Sequence, residues 1–338
     1  GSVITIENVV HASTSYEIEK SDFNWTAPSI KKYKNQTFNG YHREDGSVGT
    51  ANYWLVIPMV FCENRNLDVI ESAMSEALGY IVNKDFSVDT QALINQYKNG
   101  ASTEELLNLS IVQTKEEEQK NRVFPNVDGI KFLRHNGGCG GTREDATTLC
   151  NLLAGYITNA NVAGATILSL GCQNAETSIL QEAIAKRDAN FSKPIHYLEQ
   201  QQSKNERSFI EEAVKLTFTG LIKANETTRK PAPLSKLILG LECGASDGFS
   251  GISANPALGY TSDLLVALGG SPVLSEFPEL NGVEQELLNR CSSLHLAEKF
   301  SSLMNAYSKK AIAVGSGFDK REYKRRVNNG CDEICRSS

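Results

Sequence analysis

The sequence predicts an α/β protein, a mostly parallel, twisted sheet with helices on both faces in Rossmann-like layers. Three observations predict it. Apolar runs of strand length, at residues 52–62 (NYWLVIPMVFC), 164–170 (GATILSL) and 237–241 (LILGL), alternate with longer segments of helical periodicity. The runs are apolar throughout instead of alternating, as strands covered on both faces must be. Several end in glycine and cysteine, where open α/β sheets place their ligands.

The chain has 338 residues with a net charge of −6, 40% hydrophobic and 22% charged. That is enough for two domains, or one large one, and its acidic balance excludes a general nucleic-acid binder. No apolar run reaches membrane-spanning length and no signal peptide is apparent, so a cytoplasmic location without membrane contact is expected. Eight cysteines are too dilute for a disulfide scaffold.

Taken in order, residues 1–38 read as the remnant of a small domain plus a linker, having too little apolar content to close a core. An α/β domain is expected over 39–230, starting at the turn-rich segment 41–49 and the strand 52–62, with Pro58 near that strand's end. A helix is predicted over 67–80 from Leu67, Ile70, Ala73, Met74, Ala77 and Leu78. The polar stretch 84–122 reads as an insert of two exposed helices. Then come a strand at 127–133, a helix at 142–159 capped by Thr142 with acidic Glu144 and Asp145 in its first turn, and the buried strand 164–170. A helix at 175–187, a strand at 195–198 and a helix at 206–223 complete the domain. Residues 230–233 (KPAP) read as a boundary. A second α/β portion, 231–318, is expected to continue the sheet with strands 237–241 and 271–276 and helices at 260–268 and 283–307. Residues 319–338 form an atypical basic tail.

Four apolar strands end in a cysteine with polar or glycine-rich neighbours: Cys62, Cys139, Cys172 and Cys243. In parallel neighbours these thiols share one edge of the sheet, accompanied by His135, Glu242, Asp247, Glu276 and Glu279. Three chemistries suit such a set. Thiolates with His135 could hold a soft or borderline metal, although no CxxC pair is present. A cysteine with histidine and an acid could be a nucleophile. Carboxylates with a metal could remove a proton alpha to a carboxylate and expel a hydroxyl. Each cysteine taken singly would also serve as a small buried hydrophobe. Nucleotide-binding, serine-hydrolase and zincin motifs are absent.

Residues 40–62 (GYHREDGSVGTANYWLVIPMVFC), 135–140 (HNGGCG), 168–174 (LSLGCQN), 240–259 (GLECGASDGFSGISANPALG) and 275–287 (SEFPELNGVEQEL) resemble the altronate/galactarate dehydratases and the related sulfolactate sulfo-lyase large subunit. The resemblance covers about residues 40–317. It implies dehydration of a small anionic sugar acid to a 2-keto-3-deoxy acid with a divalent metal, iron being expected and manganese an alternative. Placed on this sequence, it puts Glu242, Asp247 and His135 in catalytic roles and Cys139, Cys172, Cys243 and Cys62 as metal ligands. Arg43, Asn52, Gly138, Gly244, Ser246 and Asn255 are placed around the substrate, and a homo-oligomer, a dimer, is expected. Two departures point to a truncated, inactive form: Val10-His11-Ala12-Ser13 lacks the second histidine of the family's N-terminal motif, and the family's C-terminal continuation is replaced by residues 320–338. A shifted reading frame over 321–336 would restore a family-like string. The other readings are a sulfolactate sulfo-lyase and a non-catalytic binding or assembly module.

Overall fold

The computed structural model describes residues 18, 24–80, 86–114, 122–242, 249–280 and 283–315. The chain divides into two compact units, one of residues 39–230 and one joining the residues up to Phe38 to those from Pro231 onward. Strand β1 (Thr37–His42) turns back through β2 (Val48–Gly49) in antiparallel register, Tyr41 opposite Gly49. Strand β3 (Tyr53–Pro58) follows, ending at the proline, and residues Phe61–Glu63 form one 3-10 turn before α1 (Asn64–Ser75). Helix α1 therefore starts three residues before the predicted Leu67.

The 84–122 insert does contain two exposed helices, α2 (Thr90–Lys98) and α3 (Thr103–Leu107), neither with a buried residue. They lie between β4 (Phe86–Val88) and β5 (Val112–Thr114), a short antiparallel pair absent from the sequence reading. Strand β6 (Gly129–Phe132) leads to α4 (Arg143–Thr158). Thr142 caps α4 in a reciprocal capping box with Asp145, satisfying two orphan N–H donors. Next come β7 (Val162–Ser169), α5 (Thr177–Arg187), β8 (Ile195–Glu199) and α6 (Glu206–Asn225), the last capped by Asn205.

These strands form one parallel sheet in the order β6-β3-β7-β8. All eight residues of β7 are buried. Along β3 the pleat sends Trp54 and Val56 to one face, with Leu67, Ile70, Phe209 and Leu221 of α1 and α6. Leu55 and Ile57 go to the other, with Cys150, Leu153, Ile157, Leu180 and Ile184 of α4 and α5. Trp54 is fully buried and donates its indole N–H to Thr166 Oγ1 at 3.0 Å, which in turn meets Thr217 Oγ1 at 2.9 Å.

Trp54 fits because two neighbours have no side chain. A Cβ on Gly220 of α6 would lie 2.2 Å from its ring, and one on Gly164 of β7 2.5 Å. Gly220→Ala gains roughly 1 kcal/mol of helix propensity but incurs an overpacking cost of about 1–3 kcal/mol. We expect a net loss of up to about 2 kcal/mol by urea denaturation. Coupling to Trp54→Phe in a double-mutant cycle checks the cause.

Residues Lys230–Pro233 form a short strand, β9. Beyond it, β10 (Ile238–Leu241) leads through a 3-10 turn at Ser250–Ile252 to α7 (Ala254–Ala267), then β11 (Ser271–Leu274), α8 (Glu284–Arg290) and α9 (Leu294–Ala313). Strands β10 and β11 form a separate two-stranded parallel sheet, so the described residues do not continue the four-stranded one as expected. Nor is β10 a buried strand: Ile238 is 72% exposed and only Leu241 is buried. Trp25 Nε1 ties the incoming segment to Asp263 of α7 at 3.1 Å.

Candidate functional site

In the 39–230 unit β3 and β6 are neighbours whose connections depart to opposite faces. Helix α1 packs on the Trp54 face and α4 on the Leu55 face. With the order β6-β3-β7-β8 the connection from β3 leaves towards β6 and that from β7 towards β8, a switch point between β3 and β7 at whose carboxyl edge open α/β sheets bind ligands. Cys62 lies in the 3-10 turn after β3, Cys139 in the turn after β6 and Cys172 in the turn after β7, each a free, exposed thiol. Parallel register thus places three of the four cysteines at one edge.

The turns are interlocked through their main chains. Phe61 N donates to Gly137 O at 3.0 Å, Ala175 N to Gly138 O at 3.1 Å and Gln201 N to Leu170 O at 3.2 Å. Gly138 is the wedge between them. Its φ is +97°, and a Cβ there would lie 2.2 Å from Met59 O and 2.7 Å from Val60 Cα. Only glycine allows both that conformation and that approach.

His135 is committed to the same framework. Gly137 N–H donates to its Nδ1 at 3.2 Å, which assigns the proton to Nε2, and Nε2 donates to Pro58 O at 2.6 Å. Asn64 Nδ2 donates to the His135 carbonyl at 2.9 Å. With both ring nitrogens engaged by backbone, the imidazole braces the turn and has no lone pair free for a metal.

Two features here were not read from the sequence. Gln173, nearly buried, accepts from Gly171 N at 2.7 Å and donates to Ser169 Oγ at 2.6 Å, bracing the turn that carries Cys172. Immediately after Cys62, Glu63 is fully buried and its Oε2 accepts from Asn66 Nδ2 at 2.8 Å. Burial pushes the Glu63 carboxyl above the usual range, opposed by Asn66 and reinforced by the charge of Glu206. A polar residue between the expected strand 52–62 and the expected helix 67–80 gave no signal of its burial.

Arg43 and Asn52 are not brought to this edge. Asn52 precedes the first residue of β3, and the sheet is about 20 Å long at ~3.3 Å per residue. Arg43 donates from Nε to Ala160 O at 2.7 Å and from Nη2 to Asn52 Oδ1 at 2.9 Å. Asn52 Nδ2 donates to Asn126 O at 2.9 Å and Ala224 O at 3.0 Å, and its N–H to Asp128 Oδ2 at 2.7 Å. Burial pulls the Arg43 pKa down, partly offset by Tyr41 and Asp45. Both residues hold the amino end of the sheet together, which occupies the groups expected to hold a substrate carboxylate.

In the other unit Glu242 is exposed directly after β10, and Asn255 is buried in the first turn of α7. Cys243, Gly244, Ser246 and Asp247 lie outside the described residues. Among the described residues no three His, Cys, Asp or Glu side chains gather to hold a metal. Together with the engaged nitrogens of His135, this means that a thiolate-centred metal set does not fit the described residues. No helix among them is long and apolar enough to cross a membrane.

Two family models match. One, described as the second domain of D-galactarate dehydratase/altronate hydrolase, spans residues 40–225, more than half the chain. The chain belongs to this family. A second, the family's C-terminal domain, matches residues 234–331. Among similar family proteins, altronate dehydratase of Bacillus subtilis (strain 168) is 31% identical over 274 residues, covering 81% of this chain and 45% of the relative. Altronate dehydratase of Escherichia coli (strain K12) is 33% identical over 187 residues, covering 55% and 37%. The (2R)-sulfolactate sulfo-lyase subunit beta of Chromohalobacter salexigens is 26% identical over 277 residues, covering 81% and 55%. The chain spans less than half the length of the two altronate dehydratases.

Proposed function

We propose that the chain carries part of the machinery of a sugar-acid hydro-lyase, acting on an aldonate or aldarate such as altronate or galactarate. The observation that carries this reading is the carboxyl edge of the four-stranded sheet, where the family-like turns at Cys62, His135–Cys139 and Cys172 are gathered and interlocked. Dehydration removes the proton alpha to the carboxylate, breaks the C–O bond to the adjacent hydroxyl, which leaves with a proton as water, and yields an enol that tautomerises to the 2-keto-3-deoxy acid. It needs a base, an acid and a fixed carboxylate. Glu242 and Asp247 are the proposed proton-transfer pair, and the glycine-rich turns the proposed anion seat. A cytoplasmic homodimer belongs to the same proposal.

The test is to incubate the purified chain with altronate, galactarate and sulfolactate while following 2-keto-3-deoxy acid and sulfite. Keto acid from a sugar acid, suppressed by Glu242→Gln, is the expected result. A second reading, with sulfite as the leaving group, follows from the sulfo-lyase relative, which covers the same 81% of this chain as the Bacillus subtilis altronate dehydratase but at 26% against 31% identity. Sulfite release would establish that reading. Sugar acids that raise the melting temperature without turnover would make the chain a binding module.

A further inference from the structure

The turn after β8 adds a carboxylate and an amide to the carboxyl edge of the sheet. Glu199 closes β8 opposite Ser169 of β7, and the 3-10 turn Gln200–Gln202 follows it directly. The Gln201 N–H on Leu170 O at 3.2 Å draws that turn against the chain leaving β7. Between them stands Gly171, immediately before Cys172, with φ +113°. A Cβ on Gly171 would lie 2.7 Å from Gln201 Oε1 and 2.9 Å from Glu199 Oε1. Two side-chain oxygens of the β8 turn therefore converge on one point over the β7 turn, in space that a glycine leaves open.

Neither side chain is used by the frame. Gln173, Asn64 and His135 on the same edge are all bonded into it, whereas among the described residues the Glu199 carboxylate and the Gln201 amide have no hydrogen bond and no Lys or Arg is paired with Glu199. A carboxylate accepts from hydroxyl groups, and an amide beside it gives or takes a hydrogen bond as the hydroxyl requires. A second carboxylate is rejected by the same pair, since like charges brought together repel. The position also fits a sugar acid. Neighbouring strands stand about 4.8 Å apart, so the β8 turn lies about 7 Å from the switch point between β3 and β7. An extended six-carbon chain, with carbon–carbon bonds of about 1.5 Å, spans about that distance.

We propose that Glu199 and Gln201 hold the hydroxyl-bearing far end of the substrate, and that Glu199 makes the site selective for aldonates, which carry one carboxylate, against aldarates, which carry a second at that far end. The proposal rests on the sugar-acid reading given above and narrows it. With the reacting carboxylate seated on main-chain amides at the switch point, the far end of an aldonate is a primary alcohol that donates to Glu199. The far end of an aldarate is an anion that meets the Glu199 carboxylate with no paired cation to offset it. Discrimination thus comes from a repulsive element at one end of the site, which binding contacts at the other end cannot supply.

The experiment is titration calorimetry of the purified chain with altronate and with galactarate, read as the ratio of the two affinities. Wild type should bind altronate about tenfold or more tightly than galactarate, as a like charge at a part-exposed site requires. Glu199→Gln, which keeps the shape and removes the charge, should tighten galactarate about tenfold while altronate changes by less than about threefold. Gln201→Glu, which adds a second carboxylate at the same point, should weaken galactarate further and so tests the assignment from the opposite direction. Added salt should narrow the gap in wild type and have less effect in Glu199→Gln. A loss of structure would weaken both acids alike and leave the ratio unmoved. Equal binding of the two acids by wild type, or a ratio that Glu199→Gln and Gln201→Glu leave unchanged, would overturn this assignment and leave the sugar-acid reading standing. Binding of neither acid by wild type or by either variant would overturn both.

Discussion

Gly138→Ala is expected to be the most damaging single methyl group that can be added to the 39–230 unit. The new Cβ would stand 2.2 Å from Met59 O and 2.7 Å from Val60 Cα, both backbone atoms that no rotamer change can remove. The substitution also forces a non-glycine residue to φ +97°. Backbone strain of roughly 1–3 kcal/mol adds to overpacking of a similar size, so the loss should be about 3–5 kcal/mol. Relief requires parting the β6 turn from the β3 turn, which breaks the Phe61-to-Gly137 and Ala175-to-Gly138 bonds and displaces Cys139 and Cys172 together. Urea denaturation measures the first effect. Alkylation of each cysteine by iodoacetamide, resolved by peptide mass spectrometry, measures the second. A stability change below 1 kcal/mol with unchanged alkylation rates would show that the wedge does not hold the turns.

Asn52→Ala should be nearly as costly, and at the opposite end of the sheet. One side chain there accepts from Arg43 and donates to the Asn126 and Ala224 carbonyls, linking the β1–β2 turn, the entry to β6 and the end of α6. Truncation leaves two carbonyls and part of a half-buried guanidinium without partners at about 1–3 kcal/mol each, less what water recovers. A loss of about 3 kcal/mol is expected. Because the bracket is remote from the cysteine edge, iodoacetamide reactivity of Cys62, Cys139 and Cys172 should stay within about twofold of wild type under native conditions, in contrast to Gly138→Ala, since sites this far apart act independently. Changed thiol reactivity in a folded Asn52→Ala protein would mean that the two edges are coupled.

Much of this architecture could be read from the sequence because parallel strands covered on both faces are written as unbroken apolar runs. The expected strand 164–170 is the clear case: it falls on β7 (Val162–Ser169), all eight of whose residues are buried. The cysteine edge was legible for a related reason: residues following parallel strands must emerge on one side. The same logic could not separate Arg43 and Asn52 from that edge, since a polar turn before a strand and one after it have the same composition. The run 237–241 misled because apolarity reports what a strand would bury, and a sheet of two strands leaves Ile238 facing outward. Residues β4 and β5, three each, were too short to register against the polar insert around them. The burial of Glu63 was hidden because the helical periodicity begins with Leu67, whereas the helix itself begins at Asn64.

The frame of this edge is made of main-chain amides and carbonyls with Gly138, the His135 imidazole and the side-chain amides of Asn64 and Gln173, and none of the described ties passes through a cysteine side chain. Shape and chemistry at this edge are therefore separable properties. The hooks can be exchanged without rebuilding the rack, so residues 62, 139 and 172 can differ in a related chain while the fold around them stays the same.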